Sequence, residues 1–384
     1  MTDRRAVRRD GPGGTKLEKL ARPMSTLNSR PGPPLEELIE RLIADVQLTR
    51  EDVWAAARQL ADESVPEEDK AVFLVALKAK GETGEELGYF AEAFTELAIK
   101  PNFDLADRPT IDLCGTGGDR LELINVSTTI SFILAAAGVV VLKHGNRAIT
   151  SKSGGADLLE QLGIPVGCPV DVVERCVQEC GFGFLFAPRY HPAFRVVAPI
   201  RRKLAEQGHA TIFNLLGPLL NPARPKYQLV GVFTPTVLDK YAVALSRLGR
   251  ERAWVVHGQV PAGSGMDEVS TLGETAVYEV KGESSTPFHL FPDQLGLAPA
   301  RLHELRGGTP VQNAQATLRI LSGRERGPKR DLVLLNAAAA LVVAGMARRV
   351  EDGLRQAAEL VDSGAALARL QAIQRFFKQV VTAG

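Results

Sequence analysis

The sequence predicts an α/β protein in which a small helical domain precedes a larger, mainly parallel α/β domain. Three observations lead to this prediction. The chain has 384 residues, which is more than one typical domain. Apolar residues recur at helical spacing through residues 35–100, without strand-like runs. From residue 110 onward, short apolar runs alternate with helical segments, a pattern typical of a parallel sheet.

Residues 1–34 show no such periodicity. They are polar and rich in Arg, Gly and Pro, and we expect a disordered N-terminal extension there. Translation could also begin at Met24. A basic arm for nucleic acid is the functional alternative for this segment, and we do not favour it.

The predicted helical domain spans residues 35–105. Its first helix carries apolar side chains at helical spacing through residues 38–43, and Thr49 is the predicted N-cap of the second. Glu67–Lys80 and Thr83–Leu97 supply two further amphipathic segments. We interpret this block as a packing or dimerisation domain without chemistry of its own.

The α/β domain is predicted to open with a strand–helix–strand unit. A strand-like run, Thr110–Cys114, leads into a glycine-rich turn at residues 115–118, and a helix follows over residues 125–138. A second strand, Val139–Leu142, delivers the polar residues 143–147 to its carboxyl end. Because ligands of open parallel sheets bind at the carboxyl ends of the strands, we expect a binding site here.

The two turns of this unit favour a phosphorylated ligand. Glycines let successive N–H groups form an anion-binding nest, and the helix N-terminus adds partial positive charge. Lys143 and Arg147 supply full charges, whereas Asp119 suits a ribose hydroxyl or a magnesium-bound water. Two ordinary tight turns are the alternative. We favour phosphate because the second turn also carries Lys, Asn, Arg and Ser.

The remaining segments continue the alternation of strands and helices. Strands are predicted at Pro165–Cys168, Phe182–Ala187, Tyr227–Phe233 and Ala253–His257, with a β-rich patch around Ala276–Leu290. Helices are predicted up to Leu162, at Asp171–Cys180, from His191, at Val237–Leu248 and four times within Pro310–Val381.

Asp267 and Glu268 follow the strand that ends at His257, through a Gly-rich loop. Such a pair suits magnesium, which takes one or two carboxylates and completes its shell with phosphate oxygens and water. A solvated pair of loop acids is the alternative. His144 could face a substrate, whereas His191 and His257 suit packing or capping. Since no Ser–His–Asp spacing and no nucleophilic cysteine motif occurs, we expect chemistry by positioning and electrostatics.

Composition excludes several classes of protein. A formal net charge of +1 offers no field for nucleic acid, and no apolar run is long enough to span a bilayer. The N-terminus has no apolar core of a secretory signal. Cys176 and Cys180 have the spacing of a metal pair, but no second pair accompanies them. Buried thiols in a reducing cytoplasm are the better interpretation of the cysteines.

A series of motifs resembles one known family, that of anthranilate phosphoribosyltransferase. The resemblance covers nearly everything from Leu35 to the C-terminus. The motifs are GTGGD (Gly115–Asp119), NVST (Asn125–Thr128), KHGNRAITSKSGGADLLEQLG (Lys143–Gly163), HPAFR (His191–Arg195), TIFNLLGPLLNP (Thr211–Pro222) and the Asp267–Glu268 pair. Pyrimidine nucleoside phosphorylases share the fold, but their second turn differs from KHGNR.

The resemblance implies a helical domain packed on the α/β domain, with the active site in the cleft between them. Residues 196–222 would join the helical domain, and residues 106–195 and 223–384 would form the phosphoribosyl-binding domain. Members of the family are usually homodimers through their helical domains. The implied reaction transfers phosphoribose from phosphoribosyl pyrophosphate to the amine of anthranilate, with Mg²⁺ as cofactor, in tryptophan biosynthesis.

The resemblance also implies roles for individual residues. The implied contacts to phosphoribosyl pyrophosphate are Gly115, Gly118, Asp119, Asn125, Val126, Ser127, Thr128, Lys143, Gly145, Arg147, Ser151 and Gly155. The implied magnesium ligands are Ser127, Asp267 and Glu268. The implied anthranilate contacts are Gly115, Asn146 and Arg201, and the catalytic step would involve His144, Asn146 and Arg201.

The chain departs from the family pattern at three positions and in one segment. Arg120, Leu123 and Ile124 replace the usual Gly and Thr-Phe, and the segment Arg201–Thr211 is a few residues longer. Because the longer segment falls beside the acceptor pocket, a phosphoribosyltransferase or nucleoside phosphorylase acting on another aromatic amine or base is the alternative. A non-catalytic relative that binds nucleic acid or a partner is a third hypothesis, opposed by the near-neutral charge.

Overall fold

The structure, a computed structural model, describes residues 32–105, 107–119, 121–148, 152–261 and 265–383, without the side chains of the last three. Almost all of the predicted N-terminal extension, including Met24, therefore lies outside the described residues, as do Arg120 and Ser151.

The N-terminal block is a bundle of four helices. These are α1 (Leu35–Ile43), α2 (Arg50–Ala61), α3 (Glu67–Lys80) and α4 (Gly84–Glu96). Thr49 caps α2 as predicted, because its hydroxyl accepts the N–H of Asp52 while that carboxylate accepts the N–H of Thr49. Thr83 caps α4 in the same way. The apolar faces meet in a core in which Phe73 and Phe90 are fully buried.

The first half of the α/β domain follows the predicted order. Its elements are β1 (Thr110–Gly115), α5 (Val126–Ala136), β2 (Val140–Gly145), α6 (Gly155–Gln161), α7 (Val170–Cys180) and β3 (Phe182–Phe186). The predicted strand at Pro165–Cys168 is wrong. Residues 165–168 form an irregular turn, because two prolines, Pro165 and Pro169, lack the N–H that a ladder requires.

A middle segment crosses back to the helical block. It contains α8 (Ala187–Tyr190), α9 (Phe194–Glu206), α10 (Phe213–Leu216) and a 3₁₀ turn at Gly217–Leu219. Val197 and Ile200 of α9 are buried in the same core as the block. This packing supports the proposal that residues 196–222 belong to the helical domain.

The rest of the chain completes the sheet and covers one face. The strands are β4 (Tyr227–Gly231), β5 (Arg252–Gln259), β6 (Gly265–Met266), β7 (Thr275–Lys281) and β8 (Ser284–Leu290), with α11 (Leu238–Arg247) between β4 and β5. The final helices are α12 (Leu302–Leu305), α13 (Pro310–Leu321), α14 (Pro328–Val343), α15 (Val350–Asp362) and α16 (Ala365–Ala383). The four C-terminal helices expected from residue 310 onward are confirmed.

The strands form one mixed sheet in the order β3-β2-β1-β4-β5-β7-β8, with β6 on β5. The pairings from β3 to β5 are parallel, and β6, β7 and β8 are antiparallel. The chain moves outward from β1 to β3 and then returns to place β4 on the other side of β1. The carboxyl ends of β1 and β4 thus meet at a topological switch point, where open sheets bind ligands.

Both faces of the sheet are covered. Val230 and Val255 pack into the core that holds the helical bundle and α11, whereas Leu229 and Trp254 pack into the core that holds α5 and α13–α16. The predicted fold class, a small helical domain on a larger α/β domain, is confirmed. None of the helices in the described residues is long and apolar enough to cross a membrane.

Candidate active site

The turn after β1 has the backbone that its glycines predict. Gly117 and Gly118 have φ values of +66° and +92°, a region that other residues rarely adopt. The N–H of Gly117 donates to Oδ2 of Asp267 at 2.7 Å. The turn therefore donates one backbone N–H to a carboxyl group, which is a contact typical of anion-binding turns.

The loop carrying Asp267 and Glu268 lies directly on the strand ends. A Cβ on Gly115 would stand 2.4 Å from Oδ2 of Asp267, and one on Gly231 would stand 1.6 Å from its carbonyl oxygen. A Cβ on Gly258 would stand 2.6 Å from the carbonyl oxygen of Glu268. Three strands thus carry a glycine at or next to the carboxyl end, and these glycines make room for this loop. Sequence reasoning missed Gly231 and Gly258, although glycine near the carboxyl end of an apolar strand signals close backbone approach.

Three carboxyl groups converge at this edge of the sheet. Burial and the neighbouring carboxyl of Asp119, which hydrogen-bonds to it, raise the pKa of Asp267 to about 7. Burial and the charge of Asp267 raise the pKa of Glu268 well above its usual range. Burial is the main cause of both shifts, and a bound cation would favour the ionised forms of the two carboxyl groups.

Ser127 and Lys143 lie beside Glu268. The Lys143 ammonium donates to Oγ of Ser127 at 3.0 Å and to the carbonyl of Leu113. The N–H of Ser127, in the first turn of α5, donates to the Glu268 carboxylate. Burial lowers the pKa of Lys143, which is only 4% exposed. Lys143 therefore supports the site from beneath.

The donor set fits magnesium. No group of three or more His, Cys, Asp or Glu in the described residues could hold a metal ion by itself. Magnesium does not need such a cage, because it binds through one or two carboxylates and completes its shell with phosphate oxygens and water. Asp267, Glu268 and the hydroxyl of Ser127 supply this partial set.

Asn125 links the two turns. Its Nδ2 donates to the carbonyl of Ser153 at 2.9 Å, and its Oδ1 accepts from Oγ of Ser153 at 3.1 Å and from Nδ2 of Asn313 at 2.8 Å. Sequence reasoning missed Asn313, which lies in a distant helix and carries no local signal. The segment before Asn125 docks on α12, since Leu123 pairs with Arg306 and Ile124 is buried. The apolar departures from the family pattern are thus packed side chains.

Asn146 and Arg147, in the turn after β2, make different contacts. Asn146 is exposed, and its Oδ1 accepts the N–H of Arg147 at 2.8 Å. Both terminal nitrogens of Arg147 pair with Glu160 at 2.6 Å, which directs this charge toward α6. A phosphate contact for Arg147 stays a prediction.

Four further residues that were predicted to contact phosphoribosyl pyrophosphate are glycines or carry small side chains. They are Val126, Thr128, Gly145 and Gly155. A Cβ on Gly155 would stand 3.1 Å from Oγ1 of Thr128 and 3.6 Å from Cε of Lys143, so these three residues form one packed group. A Cβ on Gly145 would stand 2.9 Å from the ring of Phe184. Val126 is buried as the first residue of α5.

A row of rings connects the sheet to the helical unit. The ring centroids of His144 and His191 are 5.1 Å apart. Phe194 stacks on His191 with centroids 5.1 Å apart, and Phe213 contacts Phe194 edge to face with centroids 5.5 Å apart. The Arg201 guanidinium lies over the Phe213 ring at 5.3 Å. This wall joins His144 and Arg201 across the junction between the two domains.

The charge states along this wall differ. Burial holds the pKa of His144 well below its ordinary range and lowers that of His191 to about 4, so both imidazoles are neutral at pH 7. Nε2 of each ring is buried without a hydrogen-bond partner in the described residues. Burial also lowers the pKa of Arg201. A partly desolvated guanidinium beside neutral rings suits a planar aromatic carboxylate.

Two family models match the chain. The Glycosyl transferase family helical bundle domain matches residues 36–98, and the Glycosyl transferase family a/b domain matches residues 107–367.

Curated relatives match over nearly their full length. Anthranilate phosphoribosyltransferase of Exiguobacterium sibiricum is 42% identical over 345 residues, which cover 90% of this chain and 99% of the relative. The enzyme of the same name from an Anaeromyxobacter species is 44% identical over 345 residues, covering 89% and 99%.

Solved structures agree. Anthranilate phosphoribosyltransferase from Thermus thermophilus superposes with a TM-score of 0.81 at 41% identity, covering 88% of this chain and 99% of that one. The Saccharomyces cerevisiae enzyme in complex with PRPP and Mg superposes with a TM-score of 0.79 at 26% identity, covering 90% and 98%. With the switch-point glycines, the acidic loop and the ring wall in place, the chain belongs to the anthranilate phosphoribosyltransferase family.

Proposed function

We propose that the protein transfers the phosphoribosyl group of phosphoribosyl pyrophosphate to the amine of anthranilate. The products are N-(5-phosphoribosyl)anthranilate and pyrophosphate, in tryptophan biosynthesis. The observation that carries this proposal is the convergence of the glycine turn, the N-terminus of α5 and the Asp267–Glu268 loop at the β1–β4 switch point. Relatives bearing this enzyme name include structures with PRPP and Mg or with 4-fluoroanthranilate.

The donor would bind at the glycine turn. Its phosphates would take the N–H groups of Gly118 and Asp119 and that of Thr128 in the first turn of α5, where the helix dipole adds partial positive charge. Asp119 stands beside the turn and would accept a ribose hydroxyl. Lys143, fixed by Ser127, would contribute its charge from beneath.

Asp267, Glu268 and Ser127 would hold Mg²⁺. The ion supplies charge that stabilises the pyrophosphate oxygens as they depart. The protein contributes by keeping the two carboxylates together despite their repulsion. The Gly117 N–H fixes Asp267, and the Ser127 N–H fixes Glu268. Because the pKa values of both groups are raised, ionising them destabilises the metal-free protein, and a bound cation would offset this destabilisation.

The acceptor would lie against the ring wall. Arg201 would bind the carboxylate of anthranilate, and Asn146 and the neutral His144 would flank its amine. An aromatic amine is unprotonated near pH 7, so attack needs no strong general base. Positioning of the amine against an oxocarbenium-like sugar carbon would supply most of the rate enhancement.

We further propose a homodimer through the helical domain. In this domain, Ile43, Val46 and Val72 leave 76%, 47% and 51% of their surface exposed. A partner subunit would cover these apolar side chains. Light scattering would give twice the chain mass for the wild type. A monomer of unchanged activity would contradict the proposal.

A cytoplasmic location without nucleic-acid or membrane partners completes the proposal. All four cysteines, which lie in the described part of the chain, are free thiols, as suits a reducing compartment.

Loss of anthranilate fluorescence tests the function. Purified protein with Mg²⁺ and phosphoribosyl pyrophosphate should consume anthranilate in a donor-dependent way. Asp267→Asn should slow this decay, and Asp352→Asn, which alters a half-exposed acid on α15, serves as the matched control. Absence of decay in the wild type, with donor binding intact by calorimetry, would rule out anthranilate as the acceptor.

A further inference from the structure

A second polar cavity lies at the opposite edge of the sheet. Its volume is about 160 Å³, and its lining comes from α4, the middle segment and the turn between α11 and β5. The lining residues are Glu92, Thr95, Leu219, Asn221, Arg224, Arg247, Leu248, Gly249 and Arg250. The cavity is near the amino end of β5, whereas the acidic loop meets Gly258 about 20 Å further along that strand. It is therefore separate from the active site.

Two buried polar side chains of this cavity keep hydrogen-bonding atoms that have no partner in the described residues. Arg250 is 3% exposed, and Nε donates to Oε1 of Gln228 at 3.0 Å. No carboxylate in the described residues pairs with its terminal nitrogens. Thr95 is 3% exposed, and its hydroxyl has no hydrogen-bond partner there. Since buried polar groups are nearly always paired, both side chains have hydrogen-bonding capacity that a polar ligand in the cavity could use.

The sign of the charge indicates an anion. Three arginines and one glutamate line the cavity, and Arg50 holds both oxygens of that glutamate, Glu92, at 3.0 and 2.5 Å. Arg224 pairs with Glu96 and Arg247 with Glu85, which fixes these two cations at the rim. Among the arginines of this lining, Arg250 makes no ion-pair contact within the described residues, although the charge of the buried Asp112 acts on it from the sheet side. Burial lowers its pKa to about 10, so it stays protonated at pH 7.

We propose that this cavity binds a small oxyanion of the phosphate class, held by the guanidinium of Arg250 and the hydroxyl of Thr95. Arginine donates two parallel N–H bonds to such an ion, and the threonine hydroxyl donates a third. Thr95 belongs to the helical block, and Arg250 lies in the turn before β5, in the α/β domain. A bound oxyanion thus bridges the two domains behind the catalytic cleft and favours one relative position of them.

Crystals of the full chain soaked in selenate give a direct test. We expect anomalous density in the cavity, within hydrogen-bond distance of Arg250 and Thr95. Density for ordered water only, at a selenate concentration that fills the catalytic phosphate site, would overturn the proposal.

Thermal unfolding in phosphate, against chloride at equal ionic strength, tests the site in solution. Arg250→Gln should lower the apparent phosphate affinity of the cavity at least about tenfold, because it removes charge-assisted hydrogen bonds. Arg355→Gln, which alters an exposed ion pair on α15, is the matched control and should respond like the wild type. If Arg250→Gln fails to fold, Thr95→Val removes only the hydroxyl and should weaken the same response. Equal stabilisation of the wild type and the folded variant would refute the site.

The source of the oxyanion is separable in the same assay. Inorganic phosphate and ribose 5-phosphate, a phosphate monoester, are compared as ligands of the wild type. If Arg250→Gln weakens the stabilisation by both ligands, the cavity is a general phosphate site. A response with inorganic phosphate alone limits the cavity to the free ion.

Discussion

Adding a single methyl group at Gly231 should disable the site without replacing any polar residue. The new Cβ would stand 1.6 Å from the carbonyl oxygen of Asp267 and 2.2 Å from its carbonyl carbon. Ordinary contact begins near 3.4 Å, so the Asp267 backbone must retreat by about 1.8 Å. Its carboxylate would then leave the N–H of Gly117.

The expected magnitude follows from that displacement. A misplacement of about 1 Å near the reacting atoms costs about 10²-fold in rate, so Gly231→Ala should lower kcat/KM at least that much. Overpacking should also lower the free energy of unfolding by about 1–3 kcal/mol. The magnesium concentration at half-maximal rate should rise, because the displaced residue is a proposed ligand.

Fluorescence assays across a magnesium titration, with urea unfolding of the same samples, measure these effects. Gly167→Ala is the matched control, because no described residue beyond its chain neighbours comes within 4 Å of its Cβ position and its φ is not in the left-handed region. Wild-type kcat/KM and an unchanged magnesium titration in folded Gly231→Ala would refute the assignment of the 267 loop to the site.

The remaining predictions concern charge, acceptor and assembly. Because the pKa of Asp267 is raised to about 7, its proton is lost only near neutral pH, and the magnesium requirement should increase from pH 8 to pH 6; a requirement independent of pH would contradict this. The same raised pKa means that metal-free stability falls as pH rises from about 4 to 7, so Asp267→Asn should raise the metal-free unfolding temperature at pH 8. Arg201→Ala should raise the KM for anthranilate at least about tenfold and the KM for the donor little, with exposed Arg202→Ala as control. Equal effects on the two KM values would contradict a contact between Arg201 and the anthranilate carboxylate. Ile43→Asp should dissociate the dimer in light scattering, and a dimer that survives would move the interface elsewhere.

Local sequence signals predicted most of the fold, because they act over short distances. The capping pattern at Thr49 and the positive φ of Gly117 and Gly118 follow from single residues and their neighbours. The strand at residues 165–168 failed because an apolar run was weighed above its flanking prolines.

The site was predictable only in part, since its geometry depends on long-range contacts. The carboxyl ends of β1 and β2 could be placed from the order of strands and helices. The approach of Asp267 to Gly231, however, requires the pairing of β1 with β4. These strands are far apart in the chain, and no local pattern predicts that they pair. The direction of the Arg147 side chain toward Glu160 depends in the same way on the packing of α6.

A single-turnover reaction with product masses tests the central claim most directly. Protein in excess is mixed with Mg²⁺, phosphoribosyl pyrophosphate and anthranilate, and the quenched mixture is analysed by mass spectrometry. We expect N-(5-phosphoribosyl)anthranilate and pyrophosphate in equal amounts, with little product from Gly231→Ala. Consumption of the donor without an anthranilate adduct, or phosphate-dependent cleavage of a nucleoside instead, would contradict the assignment.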